Sequence, residues 1–374
     1  MKTQTRVAAL AAIAYCTHAH AQSSVTLYGL ISVGVEYVSN EGGHSNVKML
    51  SGSQQGSRWG MRVKEDLGGG MSAIAQLENG FDLASGKLSQ GGREFGRQAY
   101  VGISSNRFGT FTIGRQTDTF WDVLLPFYGP TFGSSLNVHV GDNDNTFGTY
   151  RFNNTVKYVS PSVMGITGEG MYSFSNQAGA FGNNRAMGLG LSYQRGALAA
   201  GLAYMSLDNP GTANADGAVT NDYAGAPFQL FRASPLNATA GVSNERRYGG
   251  GASYSFTEKL GAAVNITQVK FEYLDSTSLR LTNYDVTLNY RVTPAFFVAA
   301  GYVYTNGRYD AAGVGNPHWH MGQISLDYFL SKMTDVYIYG VVQRASSTNA
   351  DIYGNVKSSS PLQSIALAGI RKKF

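Results

Sequence analysis

Charged side chains recur at alternate positions in several short stretches of this chain, and that spacing is where chemistry could lie. Arg58, Arg62 and Lys64 are interleaved with Trp59, Met61 and Val63, and Arg151, Asn153, Thr155 and Lys157 with Phe152, Val156 and Tyr158. Successive side chains of an extended chain point to opposite faces, so each stretch has one basic and one apolar face. A basic face of this kind attracts and orients anions; it does not make or break bonds. The irregular segment 117–149 supplies the opposite sign through Asp118 and Asp122, then Asp142 and Asp144. An acidic segment held across a gap from a basic wall sets up a transverse field that orients dipolar solutes and sorts ions by sign.

Other constellations do not support bond chemistry. His318-Trp319-His320 puts two histidines on one face with no evident Cys, Asp or Glu partner, which a metal site would need. Gly249-Gly250-Gly251 opens no helix and so is no phosphate loop. No nucleophile, histidine and acid fall together as a hydrolase requires. Neither a catalytic residue, a metal nor a cofactor is expected.

The elements that position the charged faces follow from a second reading. Lys2 and Arg6, the apolar run from Val7 to Ala14 and the small-x-small Ala19-His20-Ala21 have the layout of a secretory leader. Residues 1–21 are therefore set aside, with cleavage expected near Ala21 and a barrel domain over 22–374; a lipid anchor at Cys16 is the minor alternative. The apolar run is too short to cross about 30 Å of hydrocarbon. Cys16 is the single cysteine, so the remaining chain can form no disulfide. The sequence holds 47 Gly, 23 Tyr and 19 Phe but 9 Pro, and only 14% of residues are charged, against about 25% in soluble domains. Outside the leader no apolar window is long enough for a membrane helix. An exported, glycine- and aromatic-rich, charge-poor chain without such a helix fits a closed barrel, the other structure that satisfies its backbone in lipid. The net charge of +5 is too small, and too dispersed, to argue for nucleic acid.

The dominant period is two. Val25-Thr26-Leu27-Tyr28-Gly29-Leu30-Ile31-Ser32-Val33-Gly34-Val35 has apolar odd positions and mostly small or polar even ones, the mark of a strand between two environments. The pattern returns in about 16 places. Short links such as Leu67-Gly68-Gly69-Gly70 and Thr257-Glu258-Lys259 alternate with long polar stretches at 39–56, 82–94, 117–149, 208–245 and 347–360. Short turns on one side and long loops on the other predict an outer-membrane barrel with both termini at the periplasmic end. Tyrosines near strand ends, among them Tyr100, Tyr158, Tyr290, Tyr302 and Tyr328, are placed to form girdles at headgroup level. The final strand runs into Phe374, an aromatic end that resembles the assembly signal of such barrels.

Several runs carry a family resemblance. Ser23-Ser24-Val25-Thr26-Leu27-Tyr28-Gly29, Gly56-Ser57-Arg58-Trp59-Gly60, Lys64-Glu65-Asp66-Leu67-Gly68-Gly69-Gly70, Gln76-Leu77-Glu78-Asn79-Gly80-Phe81, Arg93-Glu94-Phe95-Gly96-Arg97-Gln98-Ala99-Tyr100-Val101-Gly102 and Phe108-Gly109-Thr110-Phe111-Thr112-Ile113-Gly114-Arg115-Gln116 resemble general porins of Gram-negative bacteria, in particular the betaproteobacterial group. The likeness spans the chain after the leader, densely in its first half and thinly in the loops beyond residue 205. It implies an all-β, 16-stranded antiparallel transmembrane β-barrel, assembled as a homotrimer, with the third long loop folded inward as a constriction. It implies passive diffusion of small hydrophilic solutes and ions across outer-membrane lipid.

Arg58, Arg97 and Arg151 line up with the family's wall arginines. With Arg62 and Lys157 they form the expected basic wall, and Asp118 and Asp122 the facing loop. Trp121, Leu124, Leu125, Phe127 and Tyr128 stand where the family carries further acids, so arginines outnumber acids and mild anion preference is expected. Arg115 shares parity with Phe111 and Ile113 and should point outward, either near the headgroups or at a trimer interface, where Glu94 or Asp82 of a neighbour could meet it. Rival readings are a solute-selective channel, a barrel enzyme and an adhesin; the enzyme lacks its residues, and the adhesin would conduct little.

Overall fold

A computed structural model describes residues 23–133, 135–224 and 230–374; the expected leader lies outside the described residues. Strands run Ser24–Glu41 (β1), His44–Ser51 (β2), Arg58–Gly68 (β3), Met71–Gly80 (β4), Gln98–Ser105 (β5), Gly109–Gln116 (β6), Phe152–Val159 (β7), Ile166–Ser173 (β8) and Arg185–Arg195 (β9). They continue as Leu198–Asp208 (β10), Val242–Ser255 (β11), Leu260–Tyr273 (β12), Ser278–Thr293 (β13), Phe296–Asp310 (β14), His318–Ser331 (β15), Thr334–Ser346 (β16) and Leu362–Lys373 (β17). Among the described residues three short α-helices lie in loops: Thr119–Leu124 (α1), Gly129–Phe132 (α2) and Asn221–Ala224 (α3).

Apart from β2 and β3, which both pair with β1, each strand pairs antiparallel with its sequence neighbour, and β1 meets β17 through Leu30 opposite Lys373 to Val38 opposite Ile365, closing the sheet. On its other edge β1 pairs with β2 near the rim and with β3 nearer the short-turn end. Those two strands are one stave interrupted at 52–57, so the barrel has 16 staves, as expected from the sequence. One boundary differs from that expectation. The stretch 39–56, read as a loop, contains β2, joined to β1 by a tight turn at Gly42-Gly43 with Glu41 opposite His44. At the opposite end the β3–β4 turn runs Gly68, Gly69 and Gly70 with φ of 78°, 62° and 76°, conformations that a side chain would resist.

The two faces obey the inverted rule of a barrel in lipid. Along β12, Val264 and Ile266 are 47% and 52% exposed, while the intervening Asn265 and Thr267 are fully enclosed. The apolar residues form the outer wall and the polar ones face the lumen. The polar residues are enclosed because loops fill part of that lumen.

One parity expectation fails, for a local reason. Between β6 and β7, Gly114 stands opposite Thr155 and Gln116 opposite Phe152, so β7 carries one residue more than its partner. Asn154, with φ of 52°, sits in this bulge and reverses the alternation. Thr155 and Lys157 therefore face inward as predicted, but Phe152, expected to face lipid, turns inward too and is fully buried among Phe120, Tyr150 and Tyr223.

Candidate functional site

The inward loop 117–149 lies against the inner faces of β8–β14, and glycines make the room. A Cβ at Gly201 would come within 2.7 Å of Val123, one at Gly249 within 2.4 Å of Leu124, and one at Gly251 within 2.7 Å of Phe127. The glycine triplet of β11 is thus the seat of the loop. Polar clamps complete it. Asp118 caps α1 by accepting from the Trp121 amide at 2.9 Å, and pairs with Arg247 of β11 at 3.0 Å. Arg247 also holds Glu245, whose other oxygen is shared by Arg232 and Tyr223 of the 209–241 connection. Further along, His139 meets Asp144 at 2.8 Å, Asp144 accepts from Thr267, and Asp285 accepts from the Gly129 amide at 3.0 Å. Burial works against the His139 imidazolium, but the adjacent Asp144 outweighs it and raises the histidine above its usual range. Burial works against the Asp144 carboxylate as well, and His139 with Thr267 pulls that acid below its own.

Held there, the loop leaves the other side of the barrel open. Three cavities of about 650, 450 and 700 Å³ follow one another from the long-loop end toward the termini. The first two share Gly56, Gln90 and Tyr353, and the last two share Gln55, Arg58, Arg97 and Trp121. In the middle one, Arg58 and Arg97 face Trp121, Leu125, Pro126 and Pro130 of the loop, and among the described residues no carboxylate lines it. The lower cavity is lined by Arg58, Arg62, Arg97, Lys157 and Lys373 against Glu78, Asp122 and Glu169.

Glu78 organises the arginines. Its carboxylate lies 2.7 Å from Arg97 Nε and 3.9 Å from Arg58 Nε, and accepts from Tyr28 Oη at 2.7 Å. Arg58 also donates to the Gly56 carbonyl at 3.0 Å. Among the described residues, no protein group takes the terminal nitrogens of Arg97. Arg62 stacks over Tyr28, 4.1 Å from the ring centre. Lys157 is enclosed by Asp122, the Thr117 carbonyl and Glu169.

The residues singled out from sequence thus divide. Arg58, Arg62, Arg97 and Lys157 line the passage, and Asp122 faces Lys157 from the loop. Arg97 precedes β5, which frees it from strand parity. Arg151 does not join the ladder: it is 1% exposed, stacked on Trp121 at 4.7 Å and bonded to the Gly148 carbonyl. It lies just ahead of β7, above the bulge, and bends behind the loop. Asp118 likewise faces Arg247 and not the basic wall. Arg115 keeps its outward parity but lies enclosed at the rim, bonded to the Gly96 carbonyl at 2.9 Å and to Asp222. Within its own chain Asp222 supplies an acid. Glu78, Glu169 and Arg247 were not foreseen. For Glu78 a signal existed, since Gln76 and Glu78 alternate with Ala75 and Leu77.

Both histidines of His318-Trp319-His320 face outward beside Tyr302 and Tyr304. Among the described residues no group of three His, Cys, Asp or Glu could hold a metal ion.

Comparison with known proteins agrees with this architecture. A family model described as Gram-negative porin matches residues 7–350. An outer membrane porin protein of Bordetella pertussis is 36% identical over 55% of this chain and 60% of its own length. The match thus spans less than two thirds of that relative. Outer membrane porin protein 32 of Delftia acidovorans is 30% identical over 75% of this chain and 83% of its own. Among solved structures, an anion-selective porin from Comamonas acidovorans superposes with a TM-score of 0.75 at 22% identity, covering 94% of this chain and 100% of that one. The trimer form of OmpT from Vibrio cholerae gives 0.67 at 15% identity, covering 94% and 99%.

Proposed function

The chain belongs to the Gram-negative porin family, and from that premise we propose that its barrel is a passive outer-membrane channel for small hydrophilic solutes with a mild preference for anions. The observation that carries the preference is the middle cavity, lined by Arg58 and Arg97 and by no acid. In the cavity below, five cationic side chains face three carboxylates. A hydrated anion entering between Trp121 and the arginines meets guanidinium donors, whereas the acid nearest a cation, Glu78, is already engaged by Arg97, Arg58 and Tyr28. Arg62 and Lys157 extend the cationic surface toward the termini, and Asp122 moderates it. The structural neighbour from Comamonas, itself named anion-selective, supports this reading.

The experiment is single-channel recording of the refolded protein in a planar bilayer, with the reversal potential measured across a salt gradient. Steady conductance with an anion-side reversal potential is expected. A folded barrel without conductance would remove the channel reading, and a cation-side potential would remove the role of the arginines. Assembly as a homotrimer is part of the proposal, supported by the trimeric OmpT neighbour. Conductance steps in groups of three, and a detergent complex of three chains, are expected. Arg115, already neutralised by Asp222, is not assigned to that interface.

A further inference from the structure

The surface that the loop turns toward the basic wall is not one that small inorganic ions can use. Across the middle cavity from Arg58 and Arg97 stand Trp121, Leu125, Pro126, Pro130, Phe147 and Tyr353, and among the described residues no carboxylate. Chloride gains nothing from such a surface, because apolar atoms replace none of the hydration it sheds. A solute gains from both walls only if it carries charge on one side and apolar area on the other.

The apolar side is built largely of rings, and these are held in place. Trp121 packs under the Arg151 guanidinium, 4.7 Å from the ring centre, and a Cβ at Gly148 would strike its six-membered ring. Phe147 and Tyr353 meet edge to face at 5.5 Å, and the Tyr353 hydroxyl lies 3.1 Å from that of Thr149. Both rings border the upper cavity as well as the middle one. Tyr28 and Tyr100 continue the series in the lower cavity, with Arg62 over the Tyr28 ring at 4.1 Å. Rings and cations therefore accompany each other along the passage. They share its neck, where Arg58, Arg97 and Trp121 line the cavities both above and below. The middle cavity, about 450 Å³, equals the volume of about 15 waters, room for one six-membered ring and part of its hydration shell.

Resting on the channel reading above, we propose that the pore favours small monocyclic aromatic carboxylates, and that Trp121 is the residue that distinguishes them from aliphatic ones. The carboxylate accepts charge-assisted hydrogen bonds from Arg97 and Arg58. The ring lies offset on the Trp121 indole, as aromatic pairs prefer, and covers apolar area that water otherwise wets. Phe147 and Tyr353 offer the same kind of surface on the approach, so the solute exchanges one ring contact for the next. Each contact is weak enough to release it, as conduction requires.

The test is block of single-channel chloride current at neutral pH by sodium benzoate, acetate and cyclohexanecarboxylate, and by uncharged benzamide. In wild type the half-blocking concentration of benzoate should lie roughly tenfold below that of acetate and about threefold below that of cyclohexanecarboxylate. Benzamide should block far less than benzoate. Trp121→Leu should bring benzoate within about twofold of cyclohexanecarboxylate. Arg97→Gln should weaken benzoate and acetate together and keep their ratio. Equal block by benzoate and acetate in wild type would overturn the proposal without recourse to any variant, and so would benzamide blocking as well as benzoate. A benzoate preference that survives Trp121→Leu intact would overturn the assignment of Trp121. None of these results touches the channel reading, which fails only if the chloride current itself is absent.

Discussion

Neutralising Arg97 should move ion selectivity by an amount that can be worked out in advance. An ion passing at roughly 6 Å from a guanidinium in a water-filled lumen feels about 0.7 kcal/mol. Screening at physiological salt, with a Debye length of about 8 Å, leaves about half of that. Arg97→Gln removes this attraction for an anion and the equal repulsion for a cation. The anion-to-cation permeability ratio should therefore fall about threefold at 0.15 M salt, about sevenfold at 0.01 M, and hardly at all at 1 M. Glu78 holds Arg97 at 2.7 Å, so Glu78→Gln should shift the ratio the other way, by less, because the carboxylate sits behind the arginines. Arg97→Gln together with Glu78→Gln leaves the local charge unchanged and should restore most of the wild-type ratio. The assay is the reversal potential across a tenfold salt gradient, repeated at three mean salt concentrations. If the two single variants shift in the same direction, or if the shift ignores salt, the field of this cluster does not set selectivity.

Three further outcomes follow from the seat of the loop. Gly251→Leu collides with Phe127, drives the loop toward the Arg58–Arg97 side and should lower single-channel conductance; the same change at Gly322, which has no heavy atom within 4 Å of its would-be Cβ, should not. Asp118→Ala removes the α1 cap, worth about 1 kcal/mol, and takes one of two carboxylates from the buried Arg247, which Glu245 still holds, so this second loss should stay below the roughly 3–5 kcal/mol of a fully broken buried pair; denaturant unfolding in detergent should show both losses, and Asp118→Asn only the second. The His139–Asp144 clip has a pH window: a histidine raised above 6.5 contributes fully below 6.5 and loses its contribution as pH rises through its folded value, while a carboxylate depressed below 3.8 contributes above 3.8 and loses it on acidification. Hydrogen exchange of the 139–147 amides, corrected for intrinsic rates, should therefore quicken on the alkaline side, and equal alkaline quickening in His139→Asn would refute the assignment.

Alternation of apolar and polar residues revealed the staves because lumen and lipid are different solvents, and a strand between them must read with period two. The same rule misled at β7. One extra residue at Asn154 turns Phe152 inward, and strict alternation cannot register an insertion; the Asn153-Asn154 pair, tolerant of positive φ, was the available hint. His44–Ser51 was missed as a strand because only Val47 and Met49 present its apolar face. Glu78 was readable by parity. The Asp118–Arg247 pair was not, since 129 residues separate its members and nothing local marks either. The spaced glycines of β9–β11 were visible as composition, but the reason for them is the loop that occupies their missing side chains.

Two solvents share the inner wall. Where the loop covers it, from β8 to β14 and through Leu136 on to β15–β17, inward residues make an ordinary protein interior, with Phe120, Leu124 and Phe127 packed on Met205 and the Arg247 ion pairs closed off from water. Where the wall is bare, inward residues such as Arg58 and Arg62 line the open cavity. Strand parity cannot tell these regions apart, because both present polar residues to the same side. The path of the loop does. Arg151 and Asp118 have the residue type of a selectivity element yet lie on the covered side, so their substitution should register first in stability. Arg58 and Arg97 line the cavities on the other side, so their substitution should register first in ion selectivity. Conduction should therefore depend on the glycines and buried ion pairs that hold the loop as much as on the arginines it faces.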